Sequence, residues 1–166
     1  MATKQINVER FCVISSKTFR HIVAAMHTAV GHPDMTTFRA AVHAAKTYAE
    51  LEEVVNAAVG PSGFMEFARF DLGEVLGKGS GSAAPQILRI VVGNPLIMSQ
   101  MVKQVPDAGS YAPVTILIDE REDGVHLSYD RMASFLAPYG NLEALKVARD
   151  LDSKVEILLM AVAAGE

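Results

Sequence analysis

The chain has 166 residues, 50% of them hydrophobic and 20% charged, which excludes the low-hydrophobicity, high-charge regime of disorder and suffices for one domain around one core. Its net charge of −4, with no clustering of Lys and Arg, lacks the electrostatic footprint of a nucleic-acid binder. The longest apolar stretch, 157–164, falls far short of the ~20 residues of a membrane span, and the segment MATKQINVERF has no apolar leader core, so a cytoplasmic protein that does not enter the membrane is expected.

Val8 to Ile14 has the composition of a short strand, and Cys12 within its apolar part is expected to be a buried, inert thiol. Ser15 and Ser16 offer capping hydroxyls for a helix to about Val30, with Phe19, Ile22, Val23, Met26 and Val30 on its inner face and Gly31 and Pro33 as the stop. Asp34 or Thr36 then opens a helix with the stripe Phe38, Ala41, Val42 and Ala45. Thr47 restarts the pattern through Leu51, Val54, Val55 and Ala58. After the punctuation Gly60-Pro61-Ser62-Gly63, the run Phe64 to Phe70 reads as a half-buried strand, but its three phenylalanines break strict alternation. Gly73 to Pro85 has the composition of a mobile loop.

The clearest signal spans residues 87–129. ILRIVVGNP and VTILIDEREDGVHLSY are two strand-like runs, the second folding back on itself through a turn at Glu120 to Gly124 whose glycine accepts positive φ. Between them, Asn94 stands as the cap and Pro95 as the first residue of a Met-rich helix, Leu96 to Gln104. Asp130 or Ser134 then caps a short helical turn. Asn141 opens a long last helix with the stripe Leu142, Leu145, Val147, Ala148, Leu151, Val155, Leu158, Leu159 and Val162. The order β-α-(α-α)-β-β-α-β-β-α is an antiparallel-sheet-and-helix pattern of the α+β class.

Gly93-Asn94-Pro95, Ser99, Met101, Pro106, Gly109 and Pro113, followed by VTILIDE and DGVHLSY, resemble in order and spacing the prokaryotic family catalogued as domain of unknown function 302. The resemblance centres on residues 86–130. It implies a fold similar to the TATA-binding protein, a curved antiparallel sheet with helices packed on one face and commonly paired into dimers, and no established reaction. Three positions depart from the family pattern. Leu72 follows Asp71 where the family carries a histidine, Met98-Ser99 replaces a Gly-Thr, and residues 34–59 look like a helical insertion in the single domain.

Candidate chemistry is sparse. His21 and His27, six residues apart on one helix, point roughly 120° away from each other, and no pair has zinc-site spacing, so neither a metal nor a cofactor is expected. Gly73 to Gly79 is one residue short of a phosphate loop, and the carboxylates around Glu120 read as a solvated hairpin. The expected site is therefore a binding site rather than a catalytic one: Asn94, Met98, Ser99 and Met101 at the start of the Met-rich helix, with His126 and Tyr129 on opposite faces of the following strand. The expected function is a non-catalytic cytoplasmic module that binds a small apolar or amphipathic ligand. The apolar content, with no tryptophan to absorb it, leaves surface for a homodimer. The alternative is an enzyme on a small anionic substrate, with Asn94 to Ser99 as anion cradle, Lys78 on a lid and His126 or Tyr129 moving the proton.

Overall fold

The computed structural model describes residues 3–165 apart from 81–83 and 85. Five strands, β1 (Arg10–Ser15), β2 (Met65–Asp71), β3 (Ile87–Gly93), β4 (Val114–Arg121) and β5 (Gly124–Asp130), form one antiparallel sheet in the order β1-β5-β4-β3-β2. The helices are α1 (Phe19–Ala29), α2 (Met35–Ala44), α3 (Tyr48–Ala58), α4 (Leu72–Ser80), α5 (Pro95–Gln104), α6 (Met132–Leu136) and α7 (Leu142–Ala164). This is the expected α+β architecture, an open sheet covered by helices on one face.

Alternation along the strands decides which side chains meet those helices. Phe11, Tyr129, Ile116 and Ile90 form one cross-strand row facing the core, and Val13, Leu127, Ile118 and Leu88 form the next. With Ile22 and Met26 of α1, Met101 of α5 and Ala148, Val155 and Leu159 of α7 they make the main core. Fully burying one such aliphatic side chain contributes about 1.5–3 kcal/mol. The same alternation turns Cys12 to the opposite face, where it is exposed, contrary to the buried thiol expected from its apolar neighbours. Phe67 is the extra residue of a bulge between Glu66 and Ala68, which is why the three phenylalanines did not alternate.

β4 and β5 join through the two-residue turn Glu122-Asp123. Gly124 has φ +134°, and a side chain there would meet the Ser15 carbonyl oxygen at 2.6 Å. α2 and α3 pack on each other and on Met65 around a second small core of Phe38 and Val55. They leave and re-enter the fold through a neck where Gly31 and Gly60 touch: the N–H groups of both donate to the Phe64 carbonyl at 2.8 and 2.9 Å. A Cβ on Gly31 would lie 2.0 Å from the Ala58 carbonyl oxygen, so only glycine fits.

Several helix starts differ from expectation. Thr18, not Ser15 or Ser16, caps α1; the Ser15 hydroxyl is turned to the far end of α7, donating to the Ala163 carbonyl at 2.6 Å. The expected loop at Gly73 to Pro85 begins as α4, because the Asp71 carboxylate accepts from the Glu74 N–H at 2.8 Å and Lys78 pairs with Glu74 one turn on. Its glycines argued for a loop on composition, and residues 81–83 and 85 of that expectation lie outside the described ones. Leu142 at the start of the α7 stripe is exposed: Ala144, two residues on, is already buried, and at 100° per residue Leu142 is on the opposite side of the helix.

Neither Asp130 nor Ser134 caps α6. That role falls to Asp152, a buried carboxylate in the middle of α7, which accepts from the N–H of Met132 at 2.7 Å, the N–H of Ala133 at 3.0 Å and the Tyr129 hydroxyl at 2.6 Å. Burial raises the Asp152 carboxyl above the ordinary carboxylate range, and the three donors pull it back. Burial and the neighbouring Asp152 charge hold the Tyr129 phenol far above its usual value, so it stays a donor. Replacing Asp152 by Ala strands the Ala133 N–H and the Tyr129 phenol in the interior and leaves the Met132 N–H only the Tyr129 oxygen at 3.1 Å, and should cost about 3 kcal/mol or more. At roughly 2–4 °C per kcal/mol for a chain of this size, the melting temperature should fall by ~6–12 °C. Tyr129→Phe, which leaves both N–H groups bonded, should cost only about 1 kcal/mol in urea denaturation.

Candidate functional site

The strand-to-helix junction at Asn94 is built as its sequence suggests. The Asn94 carboxamide oxygen accepts from the Leu96 N–H at 2.9 Å, and its amide nitrogen donates to the Gly63 carbonyl at 3.0 Å, tying the start of α5 to the turn before β2. Pro95 occupies the first helical position. The Ser99 hydroxyl donates back to the Leu96 carbonyl at 2.8 Å.

Below this junction lies a cavity of about 100 Å³, bounded by Phe67, Gly93 to Pro95, Ile97, Met98, Met101, Ala112 to Val114 and Leu151. Its walls come from every layer of the fold: the bulge of β2, the end of β3, α5, the segment entering β4, and α7. Pro113, joined to Ala112 by a cis peptide bond, faces Gly93, where a Cβ would lie 3.0 Å from the proline ring. The walls are apolar apart from Asn94, whose polar atoms are already bonded within the chain.

Of the residues singled out in the sequence, Asn94, Met98 and Met101 line this cavity, and Ser99 sits on the same helix with its hydroxyl turned to the helix backbone. Tyr129 does not reach it, being held against Asp152. His126 is on the far face of the sheet, bonded through Nε2 to Asp123 at 2.7 Å. Phe67, Pro113 and Leu151 were not foreseen. The broken alternation of the phenylalanines was the one available signal for Phe67, whereas nothing local marks Leu151, which α7 delivers from far along the chain.

The groups invoked for anion chemistry are engaged elsewhere. Lys78 pairs with Glu74 at 2.9 Å on the exposed side of α4. The hairpin carboxylates are more organised than a solvated turn: Asp119 is buried and bonded to Arg121, Glu120 accepts from Gln86 at 2.6 Å, and the Asp123 carboxyl is held low by its bond to the His126 ring. Among the described residues no group of three or more His, Cys, Asp or Glu is placed to hold a metal ion, and no helix is long and apolar enough to cross a membrane.

Met101 is fully buried at the floor of the cavity. Met101→Ala should therefore enlarge the cavity and cost about 2–5 kcal/mol, with Met98→Ala, at the half-buried rim, costing less. Urea denaturation of the two variants beside the parent chain gives both numbers.

The fold has a solved counterpart. The crystal structure of an uncharacterized conserved DUF302 protein from Bacillus stearothermophilus superposes with a TM-score of 0.63 over 91% of this chain and 95% of its own, at 10% sequence identity. That likeness speaks for the fold alone. No curated protein matches the chain. A family profile described as "Domain of unknown function DUF302" matches residues 38–162, from within α2 to the last turn of α7. The match covers most of the chain and takes in the whole Asn94 junction, and the protein therefore belongs to the DUF302 family.

Proposed function

We propose that this protein is a cytoplasmic binding module that holds a small, mainly apolar ligand in the cavity beside Asn94 and works as a homodimer, without catalysis at that cavity. The observation that carries the reading is the cavity itself: apolar walls drawn from five segments, with a single polar residue at the rim. At about 100 Å³ it suits a group no larger than a benzene ring or a short branched alkyl chain. A larger amphipathic ligand would leave its polar part outside, next to Asn94. The internal hydrogen bonds of Asn94 and Ser99 favour this reading over an anion cradle, because neither side chain is left free to receive a charge.

The probe is benzene, titrated into protein carrying isotope-labelled methionine methyl groups. Saturable shifts of the Met98 and Met101 methyls are expected, with the other methionines still. Gly93→Val should abolish them by filling the mouth against Pro113 and Phe67. Shifts that never saturate, or that spread evenly over all the methionines, would remove the reading.

For the second copy, the available surface is the exposed apolar group Phe70, Leu72, Val75 and Leu76, at the end of edge strand β2 and on α4. Native mass spectrometry should show a dimer of the parent chain and a monomer of Val75→Glu/Leu76→Glu, with unchanged circular dichroism. A monomeric parent chain would remove the dimer from the proposal and leave the cavity untouched.

A further inference from the structure

A second constellation, Cys12, His126 and Asp123, lies on the sheet face away from the helices, at the seam of β1 and β5; none of the three lines the cavity beside Asn94, and the groove next to them meets that cavity only at Ala112 to Val114. Cys12 pairs across the seam with Ser128, and His126 pairs with Ile14 two residues along, on the same face of the sheet. The Cys12 Sγ is 3.7 Å from Nδ1 of His126, and Nε2 of the same ring is 2.7 Å from Oδ1 of Asp123. Asp123, its carboxyl held low by the imidazole, is ionised and can only accept, so Nε2 carries the proton. The lone pair of a neutral ring is then at Nδ1, facing the thiol.

Burial separates the roles. The His126 side chain is 8% exposed and fixed by its bond to Asp123, while Cys12 is open to solvent. The charged groups around the pair are Arg10, bonded to Asp130 on the same seam, and Arg121, bonded to Asp119 on the hairpin.

Alongside runs a groove of about 530 Å³ whose lining includes Arg10, Arg89, Thr115, Leu117 and Ser128. Cys12, Ser128, Leu117 and Arg89 stand in one cross-strand row, which places the Arg89 backbone about 14 Å from that of Cys12 at ~4.8 Å per strand. Arg89 reaches the Thr115 hydroxyl at 3.5 Å and the Phe70 ring at 5.7 Å, and has no carboxylate partner among the described residues.

We propose that Cys12 is a nucleophilic thiol, with His126 as its base and Asp123 as the residue that positions His126, and that it exchanges with small carboxylate-bearing disulfides lying along the groove toward Arg89. In the step, Nδ1 of His126 takes the Cys12 proton and the thiolate attacks one sulfur of the disulfide. A new S–S bond forms as the old one breaks, and the departing thiolate takes the proton back from the imidazolium. The products are a Cys12 mixed disulfide and one molecule of small thiol; the incoming disulfide is the oxidant. This goes beyond the ligand-binding reading and does not depend on it.

Cys12 is the only cysteine, so the intact mass of the whole chain reports the reaction without ambiguity. With oxidised glutathione as probe at pH 7, the folded protein should form the mixed disulfide at least ~10-fold faster than the same chain unfolded in urea. His126→Gln should bring the rate down to that of the unfolded chain. Asp123→Asn should slow it less and move its pH profile toward that of an unpaired thiol. Arg89→Gln should slow exchange with oxidised glutathione but not with neutral hydroxyethyl disulfide. A folded His126→Gln variant that reacts at the parent rate overturns the proposal. So does a parent chain whose rate falls tenfold per pH unit below about 8.5, as for an ordinary thiol, and that profile decides the matter if His126→Gln does not fold. Equal effects of Arg89→Gln on both disulfides overturn the groove as the seat of the substrate.

Discussion

The Asp152 carboxylate is the fixed point of this molecule. A charge in the middle of a helix that crosses the core is costly to bury, and it is tolerated here because three donors converge on it: two from the first turn of α6 and one from the end of β5. The bond to Tyr129 fixes where α7 lies along the sheet, and the bonds to Met132 and Ala133 fix how the chain turns after β5. Leu151, the residue before it, is thereby set as a wall of the cavity beside Asn94. Rotation or sliding of α7 would break all three bonds together, so the cavity inherits its shape from a polar contact that is not part of it.

Much of this was legible in the sequence where the signal is local. The Asn94-Pro95 helix start, the Asn141 cap, the hairpin glycine and the two helices between Asp34 and Val59 all depend on residues within a turn of one another, and all stand as read. The failures have the opposite character. Asp152 caps a helix 20 residues before it, and no local pattern marks it for that task. Cys12 looked buried because its neighbours are apolar, but a strand has two faces and only one of them meets the helices. The start of α4 depends on a cap and one ion pair that outweigh its glycines. For the site the division is the same: Asn94, Met98 and Met101 lie on one continuous motif, while Pro113 and Leu151 arrive through the fold.

The two faces of the sheet are built for different company. On the helix side the rows are Phe, Tyr, Ile, Leu and Val throughout, and the polar groups there are satisfied in place. On the other side, His126, Ser128 and Asp119 are interleaved with Leu117, Ile87 and Val91, and the rim carries arginines and carboxylates in pairs. A strand such as β5 must satisfy both requirements at once, which is why residues 125–129 are buried at every position although they alternate apolar with polar. The family resemblance follows the first set of constraints, since it rests on the residues that shape turns and core, and it says little about the second.

The neck at Gly31 and Gly60 has a further consequence for chain statistics. Because the two ends of the α2 and α3 excursion already touch, its length enters the folding free energy only through the slow logarithm of loop closure, about 0.6 kcal/mol for each doubling. Phe38 and Val55 pack on Met65 of β2, but the tip near Lys46 takes no part in the strand pairing on either side of that contact. A lineage could lengthen, trim or redecorate the tip near Lys46 without disturbing a single strand pair, provided both glycines remain. Variation should therefore accumulate in that arm while the neck stays constant, making it the part of the molecule most open to acquiring a new surface.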